Sequence, residues 1–326
     1  VAVVKNGEVV HAQGYGLANL EWNIPVQTDT VFRLASITKQ FTAVAIMMLA
    51  EQGKLRTDDP ITKFFPEYPT SGHHITVHHL LTHTSGIVRE APGFDPMKIQ
   101  SDADVIKTAY SLPLRFAPGE KWEYCNVGYF TLAEIIRKVS GKPWGDFLKE
   151  RVFAPLEMNA TRTTTVSELV LNRANGYVWK TGSQENAQIY FALRPSGAFL
   201  STVLDLAKWD AALYTDKVHK QSVRDQMWTP GKLNDGKPYE YGFGWQLEEV
   251  AGHKLVSHGG SLPGFRASIL RFVNDKLTVV VLTNSDNANP RDVALKVAGL
   301  YIPGLIPERI AAKVDAKVFE AYVGQY

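Results

Sequence analysis

What most constrains this chain is where its strand signals fall: at both ends, with helix signals between them. Residues 1–16, VAVVKNGEVVHAQGYG, read as two strands joined by a tight turn at Asn6 and Gly7. Towards the other end, HKLVSHGG, GFRASILRFV and KLTVVVLTN read as three consecutive strands, the last two joined at Asn274 and Asp275. In between lie helical patterns with their own start and stop residues. RLASITKQFTAVAIMMLAEQG stops at Gly53, ITVHHLLTHTSG is short and capped, NVGYFTLAEIIRKVSG stops at Gly141, and STVLDLAKWDAALY takes Ser201 or Thr202 as its cap. A sheet assembled from the two ends around a helical insertion is an α+β fold: an antiparallel sheet flanked by helices, with a helical lobe. The expected division is a single domain over 1–310, its sheet lobe drawn from 1–56 and 240–310 and its helical lobe from 57–239. Clefts at such boundaries are where small-molecule sites usually lie, and the helix that follows Ser36 would be the buried element joining the lobes.

Composition narrows the partners. With 326 residues, 45% hydrophobic and 21% charged, the chain has enough apolar content to bury a large core. A net charge of +2 and the lack of any block of like charges leave no electrostatic footprint for nucleic acid or an anionic membrane, so the expected partner is a small molecule or a peptide. The longest apolar run, Phe41 to Ala50, is too short to span a bilayer. Cys125 is the only cysteine, which excludes an internal disulfide and a cysteine-based zinc site and leaves the redox compartment open. The chain opens in a hairpin with no secretory signal ahead of it, so the expectation is that leading residues have been lost and that export cannot be judged from this end.

The helix beginning near Arg33 carries no charge between Lys39 and Glu51, yet it opens with Ser36 and, three residues on, Lys39. Positions three apart share a helix face, so the hydroxyl and the amine can meet. A desolvated lysine amine can take the proton that an unassisted serine keeps at neutral pH, and backbone N–H groups at a helix start point where an oxyanion would form. The alternative is that Ser36 is a helix cap and Lys39 reaches solvent. PGEKWEYCNVGY adds Tyr124 and Asn126. A phenol beside a lysine and a second cation can ionise below its usual pKa and serve as a base for Ser36, while an asparagine amide can hold both the amine and a substrate carbonyl. Alternatively, Asn126 caps the following helix and Tyr124 is a half-buried aromatic. VSHGGSLPGF places His258 at a strand end beside Gly259 and Gly260, with the Ser261 N–H as a second oxyanion donor; alternatively the glycines make a loop in which His258 bonds locally.

Together, SITK, YCN and HGG, in that order and at those wide separations, resemble the S-x-x-K, Y-x-N and K/H-x-G motifs of the serine β-lactamase and penicillin-binding-protein superfamily. The resemblance is closer to the class C-like branch with its family VIII esterases and D-stereospecific peptidases. FRLASITKQFTA, LLTHTSGI, SGAFLSTVLDLAKW and YGFGWQL also look like this family, so nearly the whole chain is covered. The resemblance implies a β-lactamase/transpeptidase-like fold with Ser36 as the acylated nucleophile and Lys39 and Tyr124 sharing base duty. Asn126, His258, Gly260 and Ser261 would bind substrate, with the Ser36 and Ser261 amides holding the oxyanion. It further implies a serine hydrolase acting through an acyl-enzyme on a β-lactam, a short ester or a D-amino-acid peptide, with no metal or cofactor, in a periplasmic or secreted setting. The rival is a non-catalytic penicillin-binding-like or scaffold protein that has kept the fold.

Some features depart from the pattern or imitate others. Cys125 stands where relatives often carry serine, and lone cysteines are usually small buried hydrophobes. His258 replaces a lysine and removes a permanent cation suited to a substrate carboxylate, which argues against a dedicated penicillinase. ELVLN, from Glu168, imitates the water-positioning segment of class A β-lactamases; with Tyr124 already present, Glu168 reads as surface charge. His73, His74, His78, His79 and His83 include pairs at metal-binding spacing but lack an accompanying carboxylate, so they read as parts of a capped helix, with His83 ordering the THTSG turn. Arg194, if it points into the cleft, would replace the cation His258 gave up. Residues 311–326 read as a linker or the start of a further module.

Overall fold

The structure is a computed structural model that describes residues 1–165, 168–188 and 195–306. Arg194 and the segment 311–326 lie outside the described residues. Six strands form one antiparallel sheet, ordered Gln246–Val250, His253–Leu262, Phe265–Phe272, Leu277–Thr283, Ala2–Lys5, Glu8–Ala12. The two ends of the chain meet within it, Ala2 opposite Val280 and Lys5 opposite Leu277. Asn6 and Gly7 have φ of 53° and 83°, the left-handed pair that a two-residue hairpin turn requires.

The strand Leu277–Thr283 is buried on both faces, and period-2 alternation divides its side chains between two cores. Val279 and Val281, with Leu270 and Phe272, pack under the helix Pro290–Gly299 through Ala294 and Ala298. Val280 and Leu282 face the larger core, which contains the helix Thr38–Glu51. That helix is buried all round, every residue from Thr38 to Leu49 being enclosed, because sheet and helical insertion close on it from all sides. Phe41 anchors it among Trp209, Phe153 and Phe199, at ring separations of 4.7, 5.3 and 5.7 Å. The insertion contributes, among its helices, Asn126–Ser140, stopped by Gly141 at φ 76°, and Val203–Ala212, capped by Thr202. Among the described residues no helix is long and apolar enough to cross a membrane.

The strand His253–Leu262 runs further than its outer neighbour. Its last pair with Gln246–Val250 is Ser257 with Gln246, whereas on the inner side pairing continues to Leu262 opposite Phe265. The chain before Gln246 turns away, with Gly242 N–H bonded to the Trp245 carbonyl and Gly244 at φ 77°, packed within Cβ reach of the Lys39 carbonyl. His258 to Leu262 therefore have a ladder partner on one side only among the described residues. His258 is thus in mid-strand, and Gly259 and Gly260 belong to the strand rather than to a loop.

Candidate active site

Ser36 lies in the short 3-10 turn Ala35–Ile37 that precedes the helix Thr38–Glu51. Ala35 has φ 48°, a conformation L-residues seldom take, and the turn leaves Ser36 half-buried between two buried neighbours. Neither the turn nor the helix has a side-chain cap, so Ser36 is not a capping residue. Its backbone N–H precedes the turn's first internal bond, from Ile37 N–H to the Leu34 carbonyl.

Lys39 is fully enclosed. Its Nζ lies 2.8 Å from Asn126 Oδ1, 2.9 Å from the Ser196 carbonyl and 3.2 Å from Ser36 Oγ. The first two oxygens can only accept, whereas a hydroxyl can accept or donate. The direction facing Ser36 is therefore the one along which a proton can pass between serine and amine.

The Tyr124 hydroxyl shares a hydrogen bond with Ser36. Burial pushes its hydroxyl above the usual tyrosine range, and the bond to Ser36 and the Arg89 charge only partly offset this. The expectation that Tyr124 ionises early is corrected here. The cations meet the wrong part of it: Lys39 Nζ and the Arg89 guanidinium stand over the ring, 4.7 and 5.3 Å from its centroid. Tyr124 is a neutral phenol in this setting.

Asn126 is the first residue of its helix, not the cap. The cap is Cys125, whose Sγ accepts from the Gly128 N–H at 3.3 Å. Burial pushes the Cys125 thiol up to about 12, so it is a structural thiol and not a nucleophile. Asn126 is left to bridge Lys39 and, through Nδ2, Glu90 Oε1.

His258 differs from its expected role. Its Nδ1 lies 2.6 Å from the Gly259 carbonyl, which can only accept, so that nitrogen carries the proton. Nε2 then accepts from the Tyr241 hydroxyl at 3.0 Å. Tyr241 also lies 3.2 Å from His83 Nε2, and His83 Nδ1 accepts from the Cys125 N–H at 3.0 Å. Both tautomers are thereby fixed, and His83, Tyr241 and His258 form one oriented chain beneath the Tyr124 ring. Burial, assisted by the Lys39 charge, lowers His258 to about 3 and His83 well below its usual value. His258 is a neutral wall of the site with both ring nitrogens engaged.

These shifts carry a pH prediction. Both histidines bind protons more weakly in the folded protein than unfolded, so stability rises with pH from about 3 to 6.5 for His258 and is complete above that window. Denaturant stability is expected to fall between pH 7 and 5, at up to about 1.4 kcal/mol per pH unit for each such histidine. His258→Asn should flatten that slope; an unchanged slope would show that the histidine is not protonated on unfolding.

Gly260 and Ser261 stand opposite Ala267 and Arg266 on the one-sided stretch of strand. A Cβ on Gly260 would fall 2.2 Å from the Leu34 carbonyl, so only glycine lets the strand approach the Ser36 turn this closely. Gly260→Ala is expected to push strand and turn apart, cost about 1–3 kcal/mol of stability and slow reaction at Ser36 by tenfold or more. Denaturant melts and adduct-formation rates check both effects. The Ser261 hydroxyl accepts from Arg266 Nη1, turning the side chain towards that cation.

A family model described as Beta-lactamase matches residues 1–301. The chain belongs to the Beta-lactamase family. Penicillin-binding protein 4* of Bacillus subtilis (strain 168) is 32% identical, over all of this chain and 78% of its own length. A D-aminopeptidase of Brucella canis is 29% identical over 96% of this chain, which spans 61% of that protein. Among solved structures, the octameric penicillin-binding protein homologue from Pyrococcus abyssi is 32% identical, with a TM-score of 0.82 over 92% of this chain and 72% of that one. The fold is thus β-lactamase/transpeptidase-like, in a family that includes hydrolases and penicillin-binding proteins.

Several residues around this Beta-lactamase-family site have no part in it assigned from the sequence, although His83, Ser196 and Tyr241 lie in stretches that look like the family. Arg89 and Glu90 follow the THTSG turn and reach Tyr124 and Asn126; Ser196 contributes a carbonyl; His83 and Tyr241 hold His258. Glu168 is engaged by Arg162 and Thr164, as befits surface charge. His79 completes a capping box with Thr76. Among the described residues no three His, Cys, Asp or Glu side chains cluster as a metal site would need.

Proposed function

We propose that the protein is a serine hydrolase that cleaves amide or ester bonds through an acyl-enzyme on Ser36. What chiefly supports this is the enclosed Lys39 amine, whose exchangeable direction faces the Ser36 hydroxyl while two carbonyl oxygens hold its other hydrogens. Ser36 Oγ attacks the substrate carbonyl as its proton passes to Lys39 Nζ. The new oxyanion is held by the Ser36 and Ser261 N–H groups. As the C–N or C–O bond breaks, the departing atom takes the Tyr124 hydroxyl proton, and the Lys39 ammonium gives the phenol a proton in return. Water then attacks the acyl group, gives its proton back to the Lys39–Tyr124 pair, and the acid leaves Ser36 free.

The substrate class proposed is a short ester or a D-amino-acid amide or peptide, in keeping with the D-aminopeptidase relative. A penicillin would acylate Ser36 slowly, because neutral His258 offers its carboxylate no charge. Intact-protein mass spectrometry after incubation with a fluorophosphonate, and separately with a penicillin, tests this. A single adduct on the wild type that is lost in Ser36→Ala is the expected result. Folded wild type that forms no adduct with either reagent would overturn it and favour the non-catalytic binding protein.

A further inference from the structure

Arg33 and Arg173 lie close together in one cavity wall. Arg33 sits on the two-residue strand that leads into the Ser36 turn, opposite Leu200. Arg173 is brought alongside by the chain around it: Val31 N–H bonds the Asn172 carbonyl and Ala174 N–H the Val31 carbonyl. The two guanidiniums are close enough that, after burial, repulsion by Arg173 is what lowers the Arg33 pKa. Among the described residues neither forms an ion pair, whereas Arg115, Arg162 and Arg291 each have a carboxylate. Glu21 is in the same wall, but its Oε1 accepts from Asn186 at 2.6 Å.

Both arginines line a cavity of about 340 Å³ whose wall includes Leu262 and Pro263. An adjoining cavity of about 690 Å³ shares those two residues and reaches Ser261. A substrate laid along the one-sided edge from His258 to Leu262 therefore arrives at the arginines. Arg33 and Ser36 are three positions apart in the chain, so their α-carbons are at most about 11 Å apart. A charge recognised there lies several bonds from the reacting carbonyl.

We propose that Arg33 and Arg173 form the subsite that binds a carboxylate carried at the far end of the substrate's acyl group. Guanidinium forks pair with carboxylates through two parallel bonds, and a bound anion relieves the repulsion between half-buried Arg33 and exposed Arg173. The proposal rests on Ser36 being the acylated residue, and its test separates the two.

Two 4-nitrophenyl esters of five-carbon acyl groups, glutaryl with a terminal carboxylate and valeryl without, are compared on wild type, Arg173→Gln and Arg33→Lys. The ratio of kcat/KM, glutaryl over valeryl, should fall about 10- to 100-fold in Arg173→Gln and less in Arg33→Lys, which keeps the charge but loses the fork. A ratio unchanged within twofold in both variants overturns the proposal. In parallel, glutarate and inorganic phosphate are titrated calorimetrically into Ser36→Ala with and without Arg173→Gln, a measurement that needs no turnover. Glutarate binding that weakens at least tenfold on loss of Arg173 supports the subsite even if neither ester is hydrolysed, an outcome that would sink only the catalytic reading. No glutarate binding to Ser36→Ala overturns the proposal, as does phosphate binding at Arg173 with an unmoved ester ratio, which would make the pair a free-anion site.

Discussion

Lys39→Met is expected to slow adduct formation at Ser36 by about 10³-fold, close to 4 kcal/mol of barrier, while the protein stays folded. Methionine fills a similar volume, so the packing against Tyr124 and Tyr129 is largely kept. What is lost is the amine proposed to take the Ser36 proton. The variant also strips donors from Asn126 Oδ1 and the Ser196 carbonyl, a stability cost of about 1–3 kcal/mol for each buried acceptor left unmet. Rate and stability must therefore be read separately, by the time course of the fluorophosphonate adduct and by a denaturant melt. Tyr124→Phe keeps the ring and removes only the hydroxyl; because that hydroxyl is neutral here, the first acylation step should suffer less than in Lys39→Met. Equal losses in the two variants would mean that the phenol shares the base role after all. A Lys39→Met rate within tenfold of the wild type would place the base elsewhere.

The contrast between those two variants also marks where sequence reading stopped. Ser36 and Lys39 were legible because three residues on a helical turn fix a distance that no tertiary context has to supply. The sheet was legible at both ends for a similar reason: strand alternation and the Asn6-Gly7 turn are local signals. Tyr124 was placed correctly near Lys39, but a sequence does not say which part of a ring a cation meets. With Lys39 over its face, burial governs the hydroxyl and the direction of the shift reverses. His258 shows the same limit. Its neighbours in sequence are glycines that suggest openness, whereas Tyr241, 17 residues away, and the Gly259 carbonyl occupy both ring nitrogens. Cys125 had a signal that was overlooked: a small side chain just before a helical run is a cap position, and sulfur served where serine would. Arg173 had none, since only its pairing with Val31 brings it beside Arg33.

Asp210→Asn is expected to cost about 3–5 kcal/mol of folding stability, the second large effect, and it lies away from Ser36. Asp210, on the helix Val203–Ala212, accepts from Arg271 Nε at 2.6 Å and from the Thr278 hydroxyl at 2.7 Å. Arg271 is fully enclosed in the strand Phe265–Phe272, and among the described residues its Nη1 and Nη2 meet no hydrogen-bond partner of good geometry. Instead the guanidinium stands over the rings of Trp228, Tyr214 and Trp245, at 4.8, 4.9 and 5.7 Å. Ring faces attract a cation by about 2 kcal/mol or more when it is desolvated, which falls short of what leaving water costs it. Asp210 supplies the balance, so neutralising it strands a charge in the core. Removing both charges does not: Asp210→Leu with Arg271→Met should recover most of the loss, because a buried ion pair is worth little over well-packed apolar groups. Urea melts of the wild type and the two variants decide the matter. A loss below about 1 kcal/mol in Asp210→Asn would mean that the three rings alone carry the cation, and the double variant would then have no deficit to recover.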